Sequence, residues 1–313
     1  MDKLRVVDFH THFPTRLREQ NQGQPERGQD ELRNYARQLR SRWLKEWDFQ
    51  EPEKNPPADE EQAARWAQEV IANGLYQVVF VTGGGNRHLA DLIKPYSDKF
   101  IGFAHHDPEK PDALERIREA VDQLGLKGYK MFGPLIKGSF DDPSWEPLWE
   151  FLAERRLPVL IHFGILGGGG GKVYHHNMSP LVIHNVARHY PEIPFVIPHF
   201  GAGYWQELLH LAWSAPNIYI DTSGSNQWMR WMPYPLDLES LFRKASETVG
   251  PERIIFGSDS SWFPRGFARR YLQDQLRVCR WLNMKEEDVR AIFGGNARRL
   301  LENIRYPGSG LPS

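Results

Sequence analysis

The chain alternates short apolar runs with longer amphipathic segments, and this alternation recurs eight times. The apolar runs are rich in β-branched and aromatic residues, which is typical of buried strands. The predicted strands cover residues 5–12, 76–82, 100–106, 126–132, 158–163, 195–199, 218–222 and 253–259. Eight strands separated by helices predict parallel pairing, because each connection must carry the chain back across the sheet.

The helical period is clearest in segment 112–124, where one apolar stripe contains Leu114, Ile117, Val121 and Leu124. Similar stripes predict helices over 145–156, 180–190, 205–213, 238–249, 268–283 and 285–301, the last with a break at its Gly-Gly pair. At this length the pattern favours an α/β fold of the (β/α)8 TIM-barrel type, forming a single domain over residues 1–313. A doubly wound dinucleotide-binding sheet is disfavoured, because the first strand ends in His-Thr-His and not in a glycine-rich turn.

One connection is too long for an ordinary barrel. About 63 residues separate the first two strands, and the excess, 14–57, is predicted to be a partly helical insertion that acts as a lid or an oligomer contact. Its apolar stripe contains Leu32, Ala36, Leu39, Trp43 and Trp47, and a second stripe contains Arg33, Arg37 and Arg40. The arginines either meet an anionic substrate or form a solvated face, and the interspersed acidic residues favour the solvated face.

Composition narrows the class of protein. The 39 Lys and Arg residues are balanced by 40 Asp and Glu residues, so no basic field attracts nucleic acid or an anionic membrane. A single cysteine, Cys279, excludes an internal disulfide framework and a thiolate zinc site. No apolar run approaches the roughly 20 residues of a membrane span, and no signal peptide is apparent. We therefore expect a cytoplasmic protein with a small-molecule substrate, and a homo-oligomer stays open.

Candidate metal ligands stand where predicted strands end. In a strand, residues two apart share a face, so His10 and His12 can point together into the barrel mouth. His162 ends the fifth predicted strand, His199 the sixth and Asp259 the eighth. Because the carboxyl ends of parallel barrel strands meet at one rim, these side chains predict a metal site there.

The donor set also restricts the metal. Imidazoles with a carboxylate and no thiolate suit Zn²⁺, and equally Mn²⁺, Co²⁺ or Fe²⁺. Such a site leaves a coordination position for water, whose pKa bound Zn²⁺ lowers to about 7.

Several motifs resemble those of one known family. They are HTHFP at 10–14, LKGYK at 126–130, LIH at 160–162, HFGAG at 199–203, IFGSD at 255–259 and IFGGNARRL at 292–300. Together they resemble the amidohydrolase superfamily, in its branch of aminocarboxymuconate-semialdehyde decarboxylase-like and pyrone-dicarboxylate lactonase-like enzymes. The resemblance implies a metal-bearing TIM barrel with His10, His12, His162 and Asp259 as metal ligands. It further implies that Asp259 moves the proton in hydrolysis, and that His199 is a second-metal ligand or polarises the substrate.

Lys130 stands where binuclear relatives carry a carbamylated lysine that bridges two metals. In single-metal relatives it would be a free cation, and we favour this role and one metal. Three other residues are predicted to contact substrate: Trp228 and Trp262 as an aromatic wall, and Arg265 as a carboxylate clamp.

Three functions follow as hypotheses. The first is a metal-dependent hydrolase that attacks a lactone, amide or related C–O or C–N bond of a small carboxylated compound through an activated water. The alternative is a metal-dependent, non-oxidative decarboxylase of an aromatic or dienoic acid. The third, a non-catalytic metal-binding barrel, is disfavoured because a scaffold needs no open coordination position.

Overall fold

The computed structural model describes residues 4–17, 29–167 and 171–306, and parallel strands form its centre. The strands are β1 (Val7–His12), β2 (Gln77–Thr82), β3 (Phe100–Gly102 and Ala104–His105), β4 (Tyr129–Phe132), β5 (Val159–His162), β6 (Phe195–Ile197), β7 (Ile218–Asp221) and β8 (Ile254–Ile255). Each of the eight predicted strands is present, and each pairs in parallel with the next.

Two irregular junctions complete the barrel. Within β3, the Phe103 amide donates to the Phe80 carbonyl of β2 at 2.9 Å, and the Ala104 amide donates to the Gly128 carbonyl at 2.8 Å. At Phe103 the strand β3 therefore changes its hydrogen-bond partner from β2 to the chain before β4, and it stays part of the barrel. The chain after β8 closes the circle, because the Phe9 amide donates to the Phe256 carbonyl at 3.0 Å. The predicted (β/α)8 barrel is confirmed.

Helices surround the strands. They are α1 (Gln29–Trp47), α2 (Asp59–Ala72), α3 (Asn86–Ile93), α4 (Ala113–Arg118), α5 (Glu146–Arg155), α6 (His184–His189), α7 (Trp205–Ser214), α8 (Leu238–Val249), α9 (Arg269–Trp281), α10 (Glu286–Arg290) and α11 (Asn296–Glu302). The predicted break in the last segment occurs at Gly294, which leaves helical geometry between α10 and α11. No helix among the described residues is long and apolar enough to cross a membrane.

Helix α1 lies within the predicted insertion 14–57, of which residues 18–28 are outside the described part. Its carboxyl end packs on the barrel mouth: the Trp43 ring lies 5.9 Å from that of Trp262, and the Trp47 ring lies 5.0 Å from that of Tyr271. Its amino-terminal half is exposed, Arg33 and Arg37 included. The lid function remains a prediction.

His106, at the end of β3, is turned away from the barrel mouth. Its side chain is buried, its Nε2–H donates to the Ala113 carbonyl at 3.0 Å, and its ring lies 4.8 Å from that of Tyr129. Burial lowers the pKa of His106 to about 4. Between pH 6.5 and 4 the unfolded chain therefore binds a proton that the folded protein does not.

We predict that His106→Gln removes part of the acid sensitivity of the fold. The wild-type protein loses stability as the pH falls from 6.5 to 4, and the amide of the variant does not titrate. The unfolding free energy of the wild type minus that of the variant should therefore fall by about 3 kcal/mol between pH 7 and pH 4. Urea unfolding at both pH values measures this, with His189→Gln, at an exposed position, as the control. Parallel pH profiles for His106→Gln and the wild type would contradict the prediction.

Candidate active site

Three ligand atoms converge where β1 meets the chain after β8. The Nε2 atoms of His10 and His12 lie 3.3 Å apart, and the Oδ1 atom of Asp259 lies 3.9 Å from the first and 3.3 Å from the second. The His10 side chain is fully buried, whereas those of His12 and Asp259 are 22% and 39% exposed. The cluster therefore has a closed floor and an open upper side.

The outer nitrogens of both imidazoles are held by residues of two other strands. His10 donates through Nδ1–H to Asp221 Oδ2 on β7 at 2.7 Å, and His12 Nδ1 lies 2.7 Å from Thr82 Oγ1 at the end of β2. A carboxylate acceptor at Nδ1 leaves Nε2 of His10 unprotonated, with its lone pair toward the cluster. The histidine is thereby oriented as a ligand.

This donor set fits a divalent metal. Two imidazole nitrogens and a carboxylate oxygen all lie within 4.8 Å of one another. Electron-rich atoms this close repel one another unless a cation or a proton lies between them. Nitrogen and oxygen donors without sulfur match Zn²⁺ and Mn²⁺ among the common ions.

The structure places His162 and His199 beside this cluster. The His162 Nε2–H donates to the Ile165 carbonyl at 3.0 Å, so only its Nδ1 is left for a metal. The His199 ring lies 5.1 Å from the rings of both His10 and His162. Its Nδ1–H donates to the Ser223 carbonyl at 3.1 Å, which directs Nε2 away from that loop. His162 is therefore adjacent to the three-residue cluster but outside it, and its predicted ligation remains a prediction.

Asp259 and His199 share an unusual backbone conformation. Both have φ of 58°, in the left-handed region that non-glycine residues rarely adopt. Strain of this kind persists where the surroundings over-determine it, and it concentrates at functional sites. At Asp259 the surroundings include a hydrogen bond from its amide to the His10 carbonyl at 2.8 Å. This bond fixes the carboxylate against the two histidines of β1.

Burial and neighbouring charges set the protonation of the cluster. Burial alone would raise the pKa of Asp259, but its hydrogen bond with His12 and the charges of the nearby imidazoles lower that pKa overall. Burial lowers the pKa of His10 and of His162 well below the usual range. Neutral imidazoles and an ionised carboxylate are the forms that bind a metal.

Lys130, on β4, is a buried cation without a hydrogen-bond acceptor among the described residues. Its side chain is fully buried, and its Nζ lies 4.6 Å from the centre of the Phe132 ring. Burial lowers its pKa to about 7, against the charges of Asp259 and Asp221, which raise it. A ligand that brings a hydrogen-bond acceptor would pair with this buried ammonium group and offset the cost of burying it.

The three other predicted substrate residues hold the loops around the cluster. Trp228 donates its indole N–H to the His199 carbonyl at 3.1 Å. Arg265 donates to the Asp259 carbonyl at 2.8 Å and stacks on Trp262, with 3.6 Å between its Cζ atom and the ring centre. Contacts of these three residues with a substrate remain predictions. Trp228 and Arg265 also position the backbone of His199 and Asp259, through the hydrogen bonds to their carbonyls.

Sequence analysis missed two buried carboxylates of the site. Asp221 orients His10, and burial raises its pKa to about 6. Asp8 accepts from the Ser258 amide at 2.8 Å, and burial raises its pKa to about 7. The signal was available: Asp221 ends a predicted strand, as His162 does, and Asp8 shares the strand face of His10 and His12.

Gly257 lets the strands approach this closely. A Cβ atom at this position would lie 2.8 Å from both Asp221 Oδ1 and the Cβ of His10. Real side chains do not come so near, so the glycine of the IFGSD motif keeps β7 and β1 in contact with the loop after β8.

The sequence as a whole matches one family. The family model described as amidohydrolase matches residues 7–302. The chain belongs to the amidohydrolase family. The predictions of an amidohydrolase-superfamily enzyme and of a divalent metal cofactor are thereby confirmed.

Individual relatives are distant. The chain is 23% identical over 247 residues to 2-keto-4-carboxy-3-hexenedioate hydratase of Sphingobium sp., with 70% of each chain covered. It resembles 5-carboxyvanillate decarboxylase of Novosphingobium aromaticivorans, complexed with manganese, with a TM-score of 0.62, 16% identity and 95% and 96% coverage. It also resembles a probable 2-pyrone-4,6-dicarboxylic acid hydrolase of Acinetobacter baumannii, with a TM-score of 0.57, 14% identity and 95% and 99% coverage. Both predicted reactions, hydrolysis and decarboxylation, are thus named among proteins of this fold.

We predict that Asp221→Asn weakens metal binding about 10- to 100-fold without unfolding the protein. The amide retains the shape but no longer enforces a donating Nδ1–H on His10, so Nε2 is a poorer ligand. Competition with a chromogenic zinc chelator measures the affinity, and Asp237→Asn, at the start of α8, controls for loss of a carboxylate outside the cluster. Unchanged zinc affinity in Asp221→Asn would show that His10 is oriented without this carboxylate.

Proposed function

We propose that the protein is a metal-dependent hydrolase of a small carboxylated compound, acting on a lactone, amide or related C–O or C–N bond. The observation that carries this proposal is the convergence of His10, His12 and Asp259 at an open rim, with Lys130 buried nearby. Ligands that leave an open side allow catalysis, whereas a purely structural metal is fully enclosed by protein ligands.

We propose one metal ion per chain, and Zn²⁺ in preference to Mn²⁺, Co²⁺ or Fe²⁺. His10, His12 and Asp259 would hold it, and His162 would join through Nδ1. Such an ion, when bound, acts as a Lewis acid and makes water a stronger nucleophile at neutral pH. The single-metal proposal rests on Lys130, whose unmodified ammonium group would serve better as a substrate contact than as a bridge.

The protein's own residues would perform the remaining steps. Lys130 would bind a carboxylate of the substrate. This carboxylate would supply the hydrogen-bond acceptor that the buried Nζ of Lys130 lacks. Asp259, whose Oδ1 lies beside the Nε2 atoms of His10 and His12, would accept a proton from the attacking water and pass it to the leaving group. His199, when protonated at both ring nitrogens, would donate through Nε2–H to the oxygen on which negative charge develops, while its Nδ1–H stays on the Ser223 carbonyl.

The relatives' names support a carboxylated substrate. Each of the three compounds in these names has at least two carboxyl groups: a hexenedioate with a further carboxy group, a carboxyvanillate and a pyrone dicarboxylic acid. The alternative, non-oxidative decarboxylation, is favoured by the decarboxylase among the fold neighbours.

Incubation of the zinc-loaded enzyme with 2-pyrone-4,6-dicarboxylate and with 5-carboxyvanillate tests both reactions. Ring opening without CO₂ supports hydrolysis, and CO₂ release supports the alternative.

We further propose a cytoplasmic location, supported by the single buried Cys279. The balanced charge supports the absence of nucleic-acid and membrane partners.

Asp259→Asn should separate the two roles of this carboxylate. The amide retains one oxygen donor but cannot accept a proton, so we expect substantial metal retention with kcat lowered roughly 10²-fold or more. The double variant His10→Ala/His12→Ala should instead lose the metal. Elemental analysis and steady-state kinetics measure both effects. Near-normal turnover by metal-loaded Asp259→Asn would require a different proton acceptor.

Lys130→Met tests the substrate contact. A free cation that binds a carboxylate predicts a KM about tenfold higher with unchanged metal content. Lys137→Met, at an exposed position, controls for loss of a lysine. Loss of metal that bicarbonate or a short carboxylic acid restores would instead support a carbamylated bridge and two metals.

A further inference from the structure

A second cavity adjoins the metal site but shares none of its ligands. It has a volume of about 530 Å³ and lies between the loop after β7 and helix α9, with Trp47 of α1 in its wall. Gly224 borders both sites: it lines the cavity, and a Cβ there would lie 3.1 Å from His199 Nδ1 and 3.9 Å from Asp259 Oδ2. One residue of backbone therefore separates the cavity from the reacting groups.

Hydrogen-bond donors without acceptors line this cavity. The buried N–H groups of Trp47 Nε1 and Gln227 Nε2 have no partner among the described residues. Tyr271 is 3% exposed, and Ser225 is the polar neighbour of its hydroxyl. Buried polar groups are almost always paired. Indole and amide N–H groups only donate, so the missing partner is an acceptor.

The charges of the wall favour a negatively charged acceptor. Asp274 already pairs with two arginines of the same helix, Arg270 at 3.7 Å and Arg277 at 2.9 Å. Asp237, the other acidic residue of the wall, accepts a hydrogen bond from the Ser240 amide at the start of α8. Both carboxylates are therefore engaged. Three arginines line the cavity together with these two aspartates, and one of them, Arg230, also pairs with Glu46 of α1.

Arg270 also links the cavity to helix α1. Its guanidinium lies 4.6 Å from the centre of the Trp47 ring and 3.4 Å, through Nη1, from the Glu46 carbonyl. An anion bound beside Arg270 would thus contact the end of α1 as well as α9.

We propose that this cavity is a binding site for a small organic carboxylate, with Trp47, Gln227, Tyr271 and Arg270 as its recognition groups. The aromatic rings of Trp47 and Tyr271 and the apolar side chain of Met229 suit a planar or apolar body attached to that carboxylate. The carboxylate belongs either to the distal end of the enzyme's own substrate or to a separate small acid. The site stands independently of the proposed reaction, because its groups take no part in that chemistry.

Isothermal titration calorimetry of the zinc-loaded full-length protein with benzoate and with isophthalate tests the site. The variant Trp47→Phe/Gln227→Leu removes both unpaired donors but keeps an aromatic ring and an apolar side chain. We expect binding about tenfold weaker or more in this variant. The matched control, Trp281→Phe/Gln38→Leu, makes the same changes at exposed positions and should bind as the wild type does.

A second pair of variants guards against misfolding of the first. Arg270→Gln should weaken binding by a similar factor, whereas Arg290→Gln, which breaks an equivalent i,i+4 ion pair on α10, should not. Titration after zinc removal identifies the source of the carboxylate. Weaker isophthalate binding without zinc indicates the distal end of a substrate that spans both sites, and unchanged binding indicates a separate acid.

Two results would overturn the proposal. One is the absence of saturable binding of either acid at roughly millimolar concentration. The other is equal affinity in the wild type, Trp47→Phe/Gln227→Leu and Arg270→Gln. Because calorimetry requires no turnover, either result leaves the proposed hydrolysis untouched, and inactive enzyme would leave the carboxylate site untouched.

Discussion

Closure of the barrel between β1 and the chain after β8 brings together residues that are about 250 positions apart in the sequence. The Asp259 amide bonds to the His10 carbonyl, and the His12 amide bonds to the Ser260 carbonyl at 2.8 Å. These two bonds hold the Asp259 carboxylate against the histidine pair of β1. Deeper in the barrel, Asp8 accepts hydrogen bonds from the amide and hydroxyl of Ser258, which ties the same two segments together.

Closure of the barrel buries ionisable side chains, and this burial changes their pKa values. Taking Asp8, Asp221 and Lys130 out of water disfavours their charged forms, and their pKa values shift toward neutrality. Asp259 differs, because the imidazoles around it keep it ionised. An ionised carboxylate suits metal binding, and a buried lysine close by suits an anionic substrate.

The residues around the cluster act mainly through the backbone. Trp228 bonds to the carbonyl of His199, and Arg265 bonds to the carbonyl of Asp259. Both residues that they support have left-handed backbone conformations, so the loops at the ends of β6 and β8 are held in place by side chains from their neighbours. Helix α1 extends this scheme outward, since Trp43 packs on Trp262, and Trp262 packs on Arg265.

The barrel could be predicted from the sequence, because eight apolar runs separated by amphipathic stripes leave few other ways to bury the strands. The sequence also placed His10, His12 and Asp259 at one rim, since strand ends of a parallel barrel share an edge. Three features became visible only in the folded protein: Asp221 orients His10, His162 turns its Nε2 to Ile165, and Trp228 supports the His199 loop. Strand periodicity tells which face a side chain occupies. Which ring nitrogen faces a ligand, and which carboxylate holds it, depends on contacts between distant strands that no local pattern records.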